Sequence, residues 1–331
     1  MIDLIPIGRA VGIAVLLVVV AACEPPFQLG QPTTRELETG ASGSLSNATS
    51  FTLRGTYLDA SGAQWTINAL LLRPDREDVS VTGPGVQVEA ILIGSQAYFQ
   101  GQAFLAQHMG SDPTSQNLAR AAGNAWWKGS TELAPQLPDL IGGTGFRSTF
   151  LGSAVTQRTD HVSIDGLGAI ELSGPRADVY IRATAPHYLL HVRAKQGVVI
   201  DGLKQADLDY GNFNRRTEIT APSDVIDFSN LTTLPPIYTV VSVGTSRCGS
   251  PCVVSAQLKN LGGLFCATAP STVAFTMKGS VSEGVIGTCQ AQVTPDVGYN
   301  ATTTVSCTIN LSGQPENAAV VTATATNPGR G

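Results

Sequence analysis

The sequence predicts a mainly β protein made of two domains. Short runs in which apolar and polar residues alternate recur along most of the chain, and turns rich in glycine and proline separate them. The chain has 331 residues, which at about 150 residues per domain suggests two domains. Charged residues make up 14%, against about 25% in an ordinary soluble domain. We expect an α+β first domain followed by a β-sandwich.

The first 22 residues have the pattern of a signal peptide. Arg9 is the only basic residue before an apolar stretch over Ala10–Ala22, which is too short to span a bilayer as a helix. The end of this stretch, Val20-Ala21-Ala22-Cys23, resembles the lipobox of bacterial lipoproteins, which implies cleavage before Cys23 and acylation of its sulfur. The alternatives are an ordinary secretory signal and an uncleaved anchor. We expect the mature protein to be held at the extracytoplasmic face of the cell membrane by its acyl chains.

The composition changes near Pro235-Pro236. From Cys23 to Pro236, 36 of 214 residues are charged and there is one cysteine; from Ile237 onward, 7 of 95 are charged and there are five cysteines. We therefore divide the chain into a signal peptide (1–22), a tether (23–33), a first domain (34–232), a linker (233–237) and a second domain (238–331).

The first domain is predicted to consist of a strand meander, a helical insertion and a second meander. Leu37, Ala41 and Leu45 recur at helical spacing within Thr34–Ser46, which predicts a short helix before the strands. Alternation then predicts strands from Phe51 to Ile93 and from His161 to Tyr210. Between them, over 103–152, apolar residues are scattered among proline and glycine, which predicts two or three short helices.

Several motifs of the first domain, taken in order, carry a family resemblance. After the lipobox come a strand motif over 86–99, Ala125-Trp126-Trp127-Lys128, a run from Ala185 to Val192, and Ile219-Thr220-Ala221-Pro222-Ser223. In this order they resemble the actinobacterial LppX/LprG-type lipoproteins, over about residues 33–232. That group shares the half-barrel fold of the periplasmic lipoprotein carrier LolA. The resemblance implies a curved antiparallel sheet around helices, and a cavity for the acyl chains of a lipid or glycolipid.

A lipid carrier needs apolar residues that face inward, and the inward phase of the strands and helices supplies the candidates. The same alternation would also arise if these residues simply filled a core. The candidate lipid-binding residues are Phe51, Leu53, Trp65, Ile67, Val86, Val88, Phe99, Trp126, Leu140, Phe146, Phe150, Val179, Ile181 and Leu190.

The second domain is predicted to be an immunoglobulin-like β-sandwich, because five or more short strands alternate with a period of two over about 90 residues. It also loosely resembles the immunoglobulin-like repeats of bacterial surface proteins. Cys289 and Cys307 lie on the inward phase of neighbouring strands and are predicted to form a disulfide. Cys248 and Cys252 could close a small loop, which leaves Cys266 either free or as the true partner of one of them.

The sequence offers little support for catalysis or for a cofactor. The net charge of −5 leaves no basic stripe for nucleic acid. His187 and His191 would share a face if both lay on one strand, but no zinc motif accompanies them. We expect no enzyme activity, no metal and no cofactor.

Two functions remain open at this point. The first is a membrane-anchored lipoprotein that binds or carries an acyl lipid or glycolipid. The alternative is a surface interaction protein with a packed half-barrel, whose sandwich domain binds an envelope protein or glycan partner.

Overall fold

The computed structural model describes residues 30–248, 251–265, 267–279, 284–310 and 319–330, and these residues form a mainly β protein, as predicted. A large curved sheet and two small sheets contain most of the strands. The strands of the large sheet are β1 (Ser50–Leu58), β2 (Gln64–Leu72), β3 (Arg76–Gly83), β4 (Val86–Ile93), β5 (Gln96–Gln100), β6 (Trp126–Gly129), β7 (Gln157–Ile164), β8 (Leu167–Ser173), β9 (Ala177–Arg182), β10 (Leu189–Ala194), β11 (Val199–Ile200), β12 (Leu203–Gly211) and β13 (Val225–Ile226).

The large sheet is open and almost entirely antiparallel. Its strands lie in the order β13-β6-β5-β4-β3-β2-β1-β12-β10-β9-β8-β7, and β11 pairs with β12. Only β13 and β6 pair in parallel among the described strands. The two halves predicted from the sequence therefore meet where β1 pairs with β12, and the helical insertion lies between them in the chain.

Short helices accompany the sheet and lie in the predicted regions. They are α1 (Thr34–Asn47), α2 (Gln102–Met109), α3 (Pro113–Ala122) and α4 (Pro138–Gly142), with single helical turns at Thr131–Leu133, Arg147–Leu151 and Leu231–Thr233. The predicted insertion of helices also contains strand β6. Sequence periodicity misses this strand because it has four residues, fewer than the alternation signal needs.

Helix α1 begins at a capping box. The side chain of Thr33 accepts a hydrogen bond from the Glu36 amide, and the Glu36 carboxylate accepts one from the Thr33 amide. This reciprocal pair satisfies two of the backbone donors that a helix start leaves free. The amide and the hydroxyl of Thr33 both donate to the Glu36 carboxylate, and these two bonds lower the pKa of Glu36 because they favour its charged form. The face of α1 with Leu37, Ala41 and Leu45 is buried against the sheet.

One line of side chains crosses the concave face of the large sheet from strand to strand. Register pairs successive members on neighbouring strands, and all of them are buried. We call this line the apolar row: Tyr210, Leu53, Ala69, Val79, Ala90, Phe99, Trp127 and Ile226. Its middle members are small and its ends are large, so α2 and the other helices can approach the centre of the curved sheet.

The last third of the chain forms a β-sandwich. One sheet has the order β14 (Tyr238–Cys248), β15 (Cys252–Asn260), β18 (Thr302–Ile309), and the other has β17 (Val285–Gln292), β16 (Thr272–Gly279), β19 (Ala319–Thr326). Alternate residues from both sheets build a second apolar core that is separate from the core of the large sheet. Phe275 lies at its centre and is fully buried. Ile237 belongs to the core of the large sheet, and the second core begins with Tyr238.

Both predicted disulfides are present. Cys289 on β17 is bonded to Cys307 on β18, with 6.1 Å between the Cα atoms, so this bond joins the two sheets of the sandwich. Cys248 and Cys252 close a short loop at the β14–β15 turn. Cys266 and the proposed lipidation site Cys23 lie outside the described residues, so their predicted roles stay predictions.

Removing the bond between the sheets should destabilise the sandwich. The double variant Cys289→Ala with Cys307→Ala removes a cross-link between residues 18 positions apart and so raises the conformational entropy of the unfolded chain. It should lower the free energy of unfolding by about 3 kcal/mol. Denaturant titration of the oxidised protein measures this change. The matched double variant Cys248→Ala with Cys252→Ala opens a separation of only four residues and should cost clearly less. Equal losses would contradict the loop-entropy argument.

The sandwich is joined to the large sheet by buried contacts. Leu234 and Ile237 belong to the core of the large sheet, so the predicted linker 233–237 is packed at both positions. Arg330 donates a backbone hydrogen bond to the Ala121 carbonyl of α3, and its guanidinium forms an ion pair with Asp224. The same guanidinium lies 3.7 Å from the ring centroid of Phe265. These contacts fix the last described strand and the loop around Phe265 to the first domain.

Candidate functional site

Most of the fourteen candidate lipid-binding residues face the interior, but they are packed against one another. Ten are buried in the core of the large sheet: Phe51, Leu53, Ile67, Val88, Phe99, Leu140, Phe146, Phe150, Val179 and Ile181. Leu190 is also buried, but it lies at an irregularity in the β9–β10 pairing and is not part of this core, whereas its neighbour Leu189 is. The large sheet therefore has the predicted curvature and an apolar concave face. The side chains of the described residues fill the space over that face.

The remaining three candidates are half-buried. Trp65 packs against the edge of the core, and its indole Nε1 donates to the Asp59 carboxylate at 3.0 Å. Asp59 also accepts hydrogen bonds from Ser61 and from the Ala63 amide, and these bonds lower its pKa to about 2, the Ser61 bond most strongly. Val86 is half-buried at the start of β4.

Trp126 was expected to face inward from a helix, and the structure differs on both points. It lies on strand β6, where alternate side chains point to opposite faces. The buried residue of the pair is Trp127, which has 2% of its surface exposed, so Trp126 belongs to the convex face. The sequence gives two adjacent tryptophans, and only the pairing of β6 with β5 decides which of them is inside.

Trp127 is the centre of an aromatic group that reaches from the interior to the surface. Its ring lies 4.9 Å from Phe99, 6.1 Å from Phe104, 5.9 Å from His108 and 6.3 Å from Phe228, measured between centroids. We call these five residues the Trp127 cluster. Phe99 is fully buried, Phe104 and Phe228 are half-buried and His108 is exposed. The cluster is therefore continuous from the apolar row to solvent.

The indole Nε1 of Trp127 is buried and has no hydrogen-bond partner among the described residues. A buried donor without a partner costs about 1–3 kcal/mol. Arg73 Nε and His191 Nε2 are the other buried side-chain nitrogens without a hydrogen-bond partner among the described residues. The Tyr210 hydroxyl, by contrast, donates to the Leu140 carbonyl at 3.1 Å, and burial raises its pKa. Trp127 is thus a donor that faces an aromatic environment and could bind one acceptor atom of a ligand.

Helix α2 lies over the Trp127 cluster and supplies two of its members, Phe104 and His108. The helix is bounded by Gly101, with φ 141°, and Gly110, with φ 97°. Both conformations favour glycine. The first turn has no side-chain cap, whereas at the other end the Nε2 of Gln116 donates to the carbonyl oxygens of Ala106 and Gly110. Helix α2 is therefore held by apolar packing and by these hydrogen bonds from α3.

Four clefts stand out on the surface of the described residues, and they differ in lining. The largest, about 560 Å³, lies between α1 and the turn at Arg147, where Arg147 and Glu38 form an ion pair. Phe146 is the one lipid-binding candidate among the residues that line these four clefts. A smaller cleft of about 220 Å³ lies on the convex face at the start of α2.

His187 and His191 do not lie on one strand, so the shared face considered from the sequence is absent. His187 sits in the turn before β10, where its Nδ1 lies 3.0 Å from the Arg182 carbonyl oxygen, while His191 lies on β10. His191 is held between Asp209, at 2.7 Å from Nδ1, and Asp207, at 3.2 Å from Nε2. Within the described part of the chain, no three acidic, histidine or cysteine side chains converge as metal ligands would.

None of the helices that the structure describes is long and apolar enough to cross a membrane.

Neither the known family models nor the curated proteins include a match to this chain. Among solved structures, the chain is similar to MucB in complex with MucA(peri), at 10% identity and a TM-score of 0.27, over 86% of this chain and 98% of that one. A second similar structure is the Pseudomonas aeruginosa MucA/MucB complex, at 9% identity and a TM-score of 0.24, over 86% and 99% of the two chains.

Proposed function

We propose that this protein is an extracytoplasmic lipoprotein, anchored through Cys23, that binds an acyl lipid or glycolipid between the curved sheet and helix α2. The observation that carries the proposal is the buried, unpartnered indole N–H of Trp127 within an aromatic cluster that reaches the surface. Ligand sites are mostly apolar and contain a few polar groups that orient the ligand. The Trp127 cluster has this composition.

In the proposed complex an acyl chain lies along the apolar row, and an ester or amide carbonyl accepts the hydrogen bond from Trp127 Nε1. The small side chains of Ala69, Val79 and Ala90 at the centre of the row give the chain the closest approach to the sheet. Space for it is made when α2 moves outward about Gly101 and Gly110. The protein binds and releases its ligand without catalysing a reaction.

The resemblance of residues 20–23 to a lipobox, and of the order of motifs to the LppX/LprG-type lipoproteins, supports the same proposal. Two acyl chains on Cys23 would hold the protein at the membrane while the polypeptide stays outside the bilayer. The tether over 23–33 would then keep the half-barrel within reach of lipid at that surface.

Extraction of the purified full-length chain with organic solvent, followed by mass spectrometry, tests the proposal. We expect an acyl lipid or glycolipid at a fixed ratio to protein, in addition to a diacylglycerol adduct on Cys23. A protein that contains no lipid and takes up no fluorescent fatty acid would rule out the carrier function. A mature chain without the adduct would rule out the lipid anchor but not the carrier function.

The variant Trp127→Phe tests the role of the unpartnered donor. It keeps an aromatic ring in the cluster and removes the buried N–H, so the loss of ring volume and the relief of desolvation should nearly cancel, and the free energy of unfolding should change by less than about 1 kcal/mol. The amount of lipid retained should fall, with about tenfold weaker binding. Mass spectrometry and denaturant titration measure the two quantities.

The neighbouring variant Trp126→Phe is the matched control. It makes the same chemical change on the convex face of the same strand, so lipid retention should stay at the wild-type level. Equal losses in the two variants would show that Trp127 Nε1 does not contact the ligand.

A second function, binding of an envelope protein through the sandwich, is favoured by a separate observation. Val285 and Val320 are each 58% exposed, and both pair in register with Lys278 on the same outer face. Exposed apolar side chains that neighbour one another are typical of interaction surfaces. Chemical cross-linking in intact cells should give a protein adduct that Val285→Asp with Val320→Asp abolishes, while Thr326→Asp retains it.

A further inference from the structure

The convex face of the large sheet carries a cleft that differs from the proposed lipid site in position and in chemistry. Its volume is about 220 Å³, below the roughly 300–1,000 Å³ of pockets for drug-sized ligands, so it suits a ligand of about one ring. It is lined by the side chains of Gln87 and Glu89 on β4, Gln100 on β5, Gln102 and Ala103 on α2, and Asn124 before β6, with the backbone of Gly101.

The cleft and the lipid interior lie on opposite faces of the same strands. Val88, Ala90 and Phe99 face the core, so Gln87, Glu89 and Gln100, which alternate with them, face outward. Register sets Glu89 directly beside Gln100. The cleft therefore cannot share side chains with the Trp127 cluster, although both lie near helix α2.

Planar amides dominate the lining. Each amide both donates and accepts hydrogen bonds, as each hydroxyl of a sugar does. The Nε2 of Gln100 donates to the backbone carbonyl of Asn124 at 2.8 Å, which fixes the side-chain amide of Gln100 at the edge of the cleft. The side chains of Gln87, Gln102 and Asn124 have no hydrogen-bond partner among the described residues, and their groups are free for a ligand.

Charge in the cleft is low. Glu89 is the one ionisable residue among those that line it, and burial together with the nearby charge of Asp78 raises the pKa of its carboxyl group. No basic side chain lines the cleft to bind a phosphate or carboxylate. The lining therefore favours a neutral ligand with several hydroxyl groups over an anion.

One further feature suits a small ligand such as a sugar ring. Gly101 brings the floor of the cleft close to β4: a Cβ atom there would lie 2.4 Å from the Gln87 carbonyl oxygen, so any other residue would displace this floor.

From this juxtaposition of amides, a glycine floor and a lining without basic side chains, we propose that the convex cleft binds a neutral saccharide. The saccharide could be free or could be the headgroup of a glycolipid, since the ring presents the same hydroxyl groups in both. The inference does not depend on the lipid function, because the two sites use opposite faces of the sheet.

The full-length chain, in detergent, is applied to an array of neutral oligosaccharides of glucose, mannose, galactose and N-acetylglucosamine, with sialylated and sulfated glycans beside them. We expect binding to at least one neutral class and none to the charged glycans. Absence of neutral binding, or a preference for the charged glycans, would overturn the proposal.

Variants locate the binding site. Gln100→Ala and Asn124→Ala should each weaken the interaction about tenfold, the equivalent of one or two hydrogen bonds, and Ala103→Trp should block it by filling the cleft. Gln290→Ala, at an exposed amide of the sandwich, is the matched control and should bind as the wild type does. Unchanged binding by all three cleft variants would place the sugar elsewhere and overturn the proposal.

A competition experiment separates the two sources of the sugar. Vesicles that contain digalactosyl diacylglycerol are offered with and without free galactose oligosaccharide. The variant Cys23→Ser is used here, because it cannot carry the proposed acyl anchor. Competition by the free sugar supports recognition of the saccharide in either source, whereas binding of this variant to the vesicles that no free sugar reduces would contradict it. Trp127→Phe should leave array binding unchanged, so failure of the lipid proposal and failure of this one give different results.

Discussion

Replacement of Asn260 by alanine should lower the free energy of unfolding by about 4 kcal/mol. Asn260 is fully buried at the end of β15, and its side chain makes four hydrogen bonds to backbone groups. Its Oδ1 accepts from the amides of Ile237 and Gly262, and its Nδ2 donates to the carbonyls of Gly263 and Val297. Alanine would leave these two amides and two carbonyls buried without their hydrogen bond to residue 260. Each lost bond should lower the free energy of unfolding by about 1 kcal/mol.

Hydrogen exchange of peptides that cover Tyr238–Asn260 measures this loss in the strands concerned. Asn260→Asp refines the test, because a carboxylate keeps both acceptor contacts but faces the Gly263 and Val297 carbonyl oxygens; it should therefore also destabilise the protein strongly. Asn310→Ala, at an exposed position after β18, is the control and should change stability by less than about 0.5 kcal/mol. Wild-type exchange in Asn260→Ala would show that the junction is not held by this side chain.

The elements that the sequence predicts correctly are those with a local signal. Alternation in β1 and β2 predicts the burial of Phe51, Leu53 and Ile67, and helical spacing predicts the buried face of α1. The Cys289–Cys307 bond expected from the inward phase of both residues is also present, but its strands lie in different sheets rather than as an antiparallel pair. In each case the residues that decide the structure lie within a few positions of one another or share a period.

Features that depend on partners distant in sequence are not predictable in this way. Asn260-Leu261-Gly262-Gly263 reads as a turn, yet Asn260 binds Ile237 and Val297, at distances of more than 20 positions along the chain. Arg330 likewise lies next to glycine near the last residues, and its contacts with Ala121 and Asp224 arise only from the fold.

The candidate site shows the same division. The apolar lining of the concave face follows from strand periodicity, but periodicity is the same for a packed and a hollow interior. Which tryptophan of the Trp126-Trp127 pair is buried depends on the register of β6 with β5, and the missing partner of Trp127 Nε1 depends on every neighbour of that atom. The amide-lined cleft joins residues from 87 to 124 and has no sequence motif.

Replacement of Phe99 by alanine should cost about 4 kcal/mol of the free energy of unfolding and should create a cavity in the proposed lipid site. Phe99 is fully buried in the apolar row and packs on both Phe104 and Trp127. Truncation of a buried phenylalanine removes its apolar contacts and leaves a cavity, which together cost about 3–5 kcal/mol. Denaturant titration of the full chain, stripped of lipid, measures this loss.

The same variant separates a ligand-binding interior from a packed one when a fatty acid such as oleate is added. If α2 can move to admit an acyl chain, oleate fills the cavity and restores about 2.7 kcal/mol at a concentration of 100 times its Kd. Phe275→Ala makes an equivalent cavity in the sandwich core, where no ligand is proposed, and should lose similar stability without recovery. Recovery in both variants would mean that oleate binds any cavity, and recovery in neither would mean that α2 does not open. Only recovery confined to Phe99→Ala supports an interior that acyl chains can reach, since the two cavities differ in access rather than in chemistry.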